Sequence, residues 1–185
     1  MSDTQHLPKA ILDTSVLLTL FVLGITENLH LLFTEVRIPR EVEREFFKSK
    51  AIDADENERY NFLASVYEKH KTWFKACNEY ESDLVDLYLT EKKIDKGEAE
   101  VFAQYQALGS HHTVLIDEKE GRRIAKNKSI QHQGVLSVIA KFDILLQLCD
   151  YKTTVALLIE LGVGRYKPAL IDEVYYRLKT QLGLN

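Results

Sequence analysis

Two short apolar runs in this chain stop directly on an acid. Ala10-Ile11-Leu12 runs into Asp13, and Val114-Leu115-Ile116 runs into Asp117. A carboxylate offers oxygen donors, which hard divalent cations such as Mg²⁺ prefer. In open parallel sheets, ligands bind just beyond the carboxyl ends of the strands. An acid at such a place also has an explanation that needs no ligand, because Asp between a strand and a helix is a good N-cap. Glu98 falls in the first turn of a helix, where its charge favours the macrodipole. Glu45 on its own reads as a solvated helix position. No single acid decides between these readings.

The elements that must position these acids alternate along the chain. After the strand at 10–12, a helix covers 16–23 and closes at Gly24. Leu29, Leu31, Leu32 and Phe33 give a second short helical face. Val36-Arg37-Ile38 is a strand, and Pro39 opens the helix that carries Glu45. Between 53 and 93 the apolar residues Phe62, Val66, Trp73, Phe74, Leu84, Leu87 and Tyr88 recur at helical spacing, which predicts two amphipathic helices. Asp95-Lys96-Gly97 marks a turn before a helix at 98–108. The strand 113–116 follows, then a helix at 118–127 and a weak strand at 129–131. Gly134 opens an apolar helix toward Leu148, and two more helices cover about 153–161 and 168–182. Strands alternating with helices imply βαβ units and an α/β fold with a parallel sheet.

Order adds what the single residues lack. The chain reads AILDTS, IPREVERE, DKGEAE, VLIDEKEGRRIA and QGVLSVIAK in succession. This set resembles the PIN-domain family, especially its prokaryotic branch with a Gly-Glu-Ala segment. The likeness runs from about residue 10 to 141, with a break between 48 and 95. It implies one PIN-like domain over 1–185, a three-layer α/β/α arrangement with a short central parallel sheet. Residues 48–95 would be an inserted pair of antiparallel helices, and 150–185 the C-terminal helices.

The family's acidic quartet falls on Asp13, Glu45, Glu98 and Asp117, with Asp13, Glu98 and Asp117 as the metal ligands. Glu45 is preferred because the family's acid stands three positions after the valine, here Val42, and Glu41 is the fallback. Ser15 matches a small polar position that helps hold the first Asp. Glu118 stands where a second acid is common, and Arg122 matches an arginine that follows the last acidic strand. Val135 departs from the threonine that often begins the next helix. The resemblance implies a nuclease that uses Mg²⁺ or Mn²⁺ to hydrolyse phosphodiesters, in RNA more than DNA. It also points to the toxin half of a toxin–antitoxin pair, neutralised by a small partner protein, and to a homodimer. Carboxylates holding one or two such ions suit this chemistry, since the ions polarise a phosphoryl oxygen and activate water. Arg122, Arg123, Lys126 and Lys128 would lie near Asp117 and could take the substrate backbone, or they form a solvated helix face.

Bulk properties set the remaining bounds. A chain of 185 residues fits one domain and buries a substantial core without a covalent staple. No apolar run approaches the length of a membrane span, and the start MSDTQHLPK does not read as a secretory signal. Cys77 and Cys149 lie far apart without metal-site spacing. The cytoplasm is the expected compartment. A formal charge of -4 lacks the basic excess typical of non-specific nucleic-acid binders, although it counts net charge and not its distribution. The phosphate cradle of P-loop enzymes is missing, and Ser15 lacks the setting of an acyl-hydrolase nucleophile. His111 and His112 read as surface polar residues. The rival from another class is the same scaffold used to bind protein or nucleic acid without catalysis.

Overall fold

Strand β1 (Lys9–Leu12) is buried along all but its first residue, and β4 (His112–Leu115) along its whole length. A strand with no exposed face belongs to a parallel sheet covered on both sides. In the computed structural model, which describes residues 7–49, 55–90, 94–163 and 166–184, these two strands lie side by side. They are joined by β2 (Glu35–Pro39), β3 (Phe74–Cys77) and β5 (His132–Gln133) in the order β3-β2-β1-β4-β5, and every pairing is parallel.

That order runs outward from β1 in one direction and from β4 in the other. A switch point therefore falls between them, and the chain segments leaving their carboxyl ends open a crevice there. Leu12 pairs with Leu115, and the Asp13 amide donates to the Leu115 carbonyl at 3.0 Å. Asp13 thus leaves the sheet beside Ile116, with Asp117 next in line.

The helices are α1 (Thr14–Val22), α2 (Arg40–Lys48), α3 (Glu56–His70), α4 (Ser82–Leu89), α5 (Lys96–Leu108), α6 (Lys119–Asn127), α7 (Val135–Ile144), α8 (Tyr151–Glu160) and α9 (Pro168–Gln181), with a 3₁₀ helix at Thr26–Leu31. They complete the expected three layers. α5 crosses β1, β2 and β4 with α2 and α4 beside it, while α7 packs on α1, α8 and α9. Phe33, Phe46, Phe74, Phe102, Phe142 and Tyr151 are the largest wholly buried side chains. Among the described residues no helix is long and apolar enough to cross a membrane.

Three local expectations need correction. The stretch between α2 and α5 does hold two helices, but they are not packed as an antiparallel pair. α3 packs on α2 and β3, α4 packs on α5, and between them β3 extends the sheet. Trp73 and Phe74 fit a helical stripe in sequence, yet the Val36 amide donates to the Trp73 carbonyl at 2.6 Å and draws the segment into the ladder beside β2. Aromatic residues suit a half-buried pleated surface, so tertiary pairing overrides the period. Residues 50–54 and 91–93 of this stretch lie outside the described residues. Next, β5 begins at His132, later than expected, because Ser129 turns the chain at φ 56°. Finally, His112 is a buried member of β4, 3.9 Å from Glu35, and not a surface residue.

Candidate active site

Asp13 caps α1 from the end of β1. Its Oδ2 accepts from the Ser15 amide at 3.2 Å and from the Ser15 hydroxyl at 2.6 Å. The side chain is nonetheless buried, and loss of water outweighs these bonds. Burial, with a smaller push from Asp95, raises its pKa to about 7.

Glu98 reaches the same place from the first turn of α5. Asp95 and Glu98 form a capping box: the Glu98 amide donates to Asp95 Oδ1 at 2.9 Å, and the Asp95 amide donates to Glu98 Oε2 at 3.2 Å. The other oxygen, Oε1, is buried and has no hydrogen-bond partner. Burial first, then the charges of Asp13, Asp95 and Glu118, push Glu98 up to about 8. Two acids that repel each other inside the protein are expensive to ionise.

Glu45 projects from α2 into the same neighbourhood. Its Oε2 accepts from the Thr14 hydroxyl at 2.6 Å, one residue from Asp13. Its pKa is raised by burial, and Asp95 and Glu41 add to the rise. A Cβ on Gly97 would lie 2.5 Å from Glu45 Oε2, so glycine lets α5 start against this carboxylate in its present position. Glu41 turns elsewhere, accepting from Arg44 Nε at 2.9 Å.

Asp117 has different partners. Oδ1 accepts from the Val135 amide at 3.0 Å, Oδ2 accepts from the Tyr166 hydroxyl at 2.7 Å, and the Arg122 guanidinium lies 3.6 Å away. Burial raises its pKa, and those three contacts oppose the rise. The structure therefore gathers Asp13, Glu98 and Asp95, sets Glu45 beside them, and ties Asp117 to the start of α7 and the segment before α9. Glu118 is exposed at the start of α6, close enough to act on Glu98. Of the basic residues on α6, Arg123 pairs with Glu120 at 2.7 Å and Lys128 lies over the Tyr88 ring. Lys126 is exposed.

A family model described as a PIN domain matches residues 9–180. The chain belongs to the PIN-domain family. PIN domains are generally nucleases and typically depend on a divalent metal. No curated protein matches the chain.

The residues of this PIN domain fit such an ion in kind, though they do not enclose one. Among the described residues no three side chains already stand as a metal-holding group. Asp13 and Glu98 nevertheless offer what Mg²⁺ takes, one or two carboxylates with the rest left to water and phosphate. The unpartnered Glu98 Oε1 lacks a positive partner that an ion would supply.

Sequence reasoning passed over Asp95, Thr14 and Tyr166. The Asp-x-x-Glu spacing of Asp95 and Glu98 is a local capping signal and could have been found. Tyr166 lies 49 residues from Asp117, and only the fold brings them together.

Gly121 supplies a direct test of the packing around Glu98. Replacing a helical glycine with alanine ordinarily gains about 1 kcal/mol. Here the added Cβ would collide with Glu98 Oε1 and Ile116 Cδ1. Gly121→Ala should instead destabilise by roughly 1–3 kcal/mol, as overpacked sites do. Thermal melting measures the sign, and a gain in stability would contradict this packing.

Proposed function

We propose that this PIN domain is an endoribonuclease that hydrolyses RNA with Mg²⁺ or Mn²⁺ held by Asp13 and Glu98, with Asp117 as third ligand. One observation carries the reading: Asp13 and Glu98 are both buried, the charge of Asp13 acts on Glu98, and one Glu98 oxygen has no partner. Such a pair costs stability unless a cation joins it. A bound ion supplies phosphoryl polarisation and a more acidic water. Ser15 orients Asp13, and the capping box orients Glu98. Asp117 accepts one bond at each oxygen, and a carboxylate oxygen has two lone pairs, so it retains acceptor capacity. Glu45, half-buried and fixed by Thr14, is placed to take a proton from the attacking water. Exposed apolar side chains on α8 and α9, including Leu157, Ile159 and Tyr176, support a protein partner. That partner is a second copy of the chain or a small antitoxin, which would make this protein the toxin of a pair.

The test is incubation of purified protein with a mixed RNA pool in Mn²⁺ and in EDTA. Fragments should form only with Mn²⁺. Intact RNA and intact single-stranded DNA under both conditions would sink the reading in favour of a binding scaffold.

A further inference from the structure

A cavity of about 540 Å³ opens next to Asp117, between α7 and α9. Its size falls within the range of small-molecule pockets. Among the described residues Asp117 is the one acid on its lining, against the cations Arg122, Lys141 and Arg177. Lys141 is half-buried at its side, and its ammonium donates to the neutral Gln133 carboxamide at 2.7 Å. Burial lowers its pKa, and no carboxylate among the described residues answers its charge. Arg177 stands at the rim with more than half of its side chain in solvent, in a loose, exposed ion pair with Glu173 at 4.0 Å.

The opposite wall is apolar. Leu170, Val174 and Leu178 line it from α9, at a spacing that places them on one helical face together with Arg177. The cavity thus sets an aliphatic surface on α9 against Arg122 of α6 and Lys141 of α7, with Arg177 at the edge of the aliphatic face itself. An anion alone needs only the cations, and an apolar ligand alone would leave Lys141 buried without a counter-charge. A nucleotide satisfies both, with its phosphate on the cations and its base against the leucines and valine. Tyr166 lies at the junction, donating to Asp117 from the lining of the same cavity.

We propose that this cavity is a nucleotide subsite: it holds one nucleotide of a single RNA strand beside the bond that is cut, with its phosphate on Lys141, Arg122 and Arg177. This assignment rests on the nuclease reading above. It moves the substrate path from the outer face of α6 to the groove between α7 and α9, where the cations line a cavity. The residues that fix strand placement are then Lys141 and Arg177.

Binding of uridine and adenosine monophosphates to the full-length protein in EDTA tests the subsite without cleavage. Titration calorimetry should show binding to the wild type, weakened on the order of tenfold by Lys141→Met and by Arg177→Gln. Arg177→Gln changes an exposed rim side chain whose ion pair with Glu173 is a surface one of little weight, so it keeps the test valid if Lys141→Met misfolds. Lys152→Gln, on α8 outside the cavity, should bind like wild type. In RNA cleavage, Arg177→Gln should raise KM and leave kcat unchanged. The subsite is overturned if the wild type binds no nucleotide at millimolar concentration, or if Arg177→Gln binds as the wild type does. It is also overturned if inorganic phosphate binds as tightly as the nucleotides, since the base then contributes nothing. Cleaved RNA without nucleotide binding sinks the subsite and spares the nuclease. Variant-sensitive nucleotide binding without cleavage sinks the nuclease and leaves a nucleotide pocket.

Discussion

Asp13→Asn should remove RNA cleavage while the protein still folds. Asn has the size of Asp and is as good an N-cap, so α1 keeps its start. The side-chain oxygen can still accept from the Ser15 amide and hydroxyl, which now bond Asp13 Oδ2. What disappears is a full negative charge at the point where the ion is held. If metal polarisation supplies several kcal/mol to the transition state, losing about 4 kcal/mol of it costs roughly a thousandfold in rate. Binding and chemistry should separate when Glu45→Gln is compared. Glu45 is assigned a proton-transfer role, so its variant should lose cleavage yet keep its affinity for Mn²⁺, whereas Asp13→Asn should lose both. Calorimetric Mn²⁺ titration beside an RNA assay reads the two effects. Undiminished cleavage by contaminant-free Asp13→Asn would take Asp13 out of the mechanism.

What the sequence disclosed follows the range of the interactions involved. β1 and β4 were legible because a buried parallel strand is a continuous apolar run, and Asp13 and Asp117 because each ends such a run. The contact of Ser15 with Asp13 spans only two residues, and the family resemblance named it. β3 was not legible, since Trp73 and Phe74 satisfy a helical stripe and become a strand only where β2 offers a ladder. Asp95 was read as a turn residue. That is correct locally, but its effect on Asp13, Glu45 and Glu98 depends on where α5 begins relative to β1 and α2. The tie of Asp117 to Tyr166 joins segments 49 residues apart, and no local pattern encodes it. The basic run on α6 pointed to the substrate by composition alone, whereas the fold gives Arg123 and Lys128 other partners and puts Arg122, Lys141 and Arg177 around a cavity.

Without metal, the protein should lose stability as the pH rises from 6.5 to 8.5. Asp13 is raised from 3.8 to about 7 and Glu98 from 4.5 to about 8 on folding. Both changes favour the protonated acid in the folded state. The stability they give is therefore complete below the unfolded values and is lost as the pH climbs through the folded ones. Most of the Glu98 penalty still to come, and the last part of that of Asp13, fall within this interval. Their loss is on the order of 3 kcal/mol, or roughly 6–12 °C in melting temperature for a chain of this size. The other shifted carboxylates and His112 do not oppose this decline. Glu35 is lowered to about 2 by its hydrogen bonds to Lys75 and Arg37, so its contribution fades only in acid. His112 is lowered by burial, and its opposing effect ends at its unfolded value of 6.5. Glu45 and Asp117 are raised and act in the same sense as the pair. Saturating Mn²⁺ should flatten the decline, because an ion bound only by the folded, ionised site stabilises by mass action. The gain from Mn²⁺ should thus be larger at pH 8.5 than at 6.5. Glu98→Gln removes the larger titration, so it should melt above the wild type in EDTA at pH 8.5 and gain less from Mn²⁺. A plain helix-start role for Glu98 predicts the reverse, since an ionised carboxylate there favours the macrodipole and its loss would lower the melting temperature. Melting curves of both proteins at the two pH values, each in EDTA and in Mn²⁺, decide between these accounts. A wild-type melting temperature that is level across the interval in EDTA, with the same Mn²⁺ response in Glu98→Gln, would end the case for a metal held by this pair.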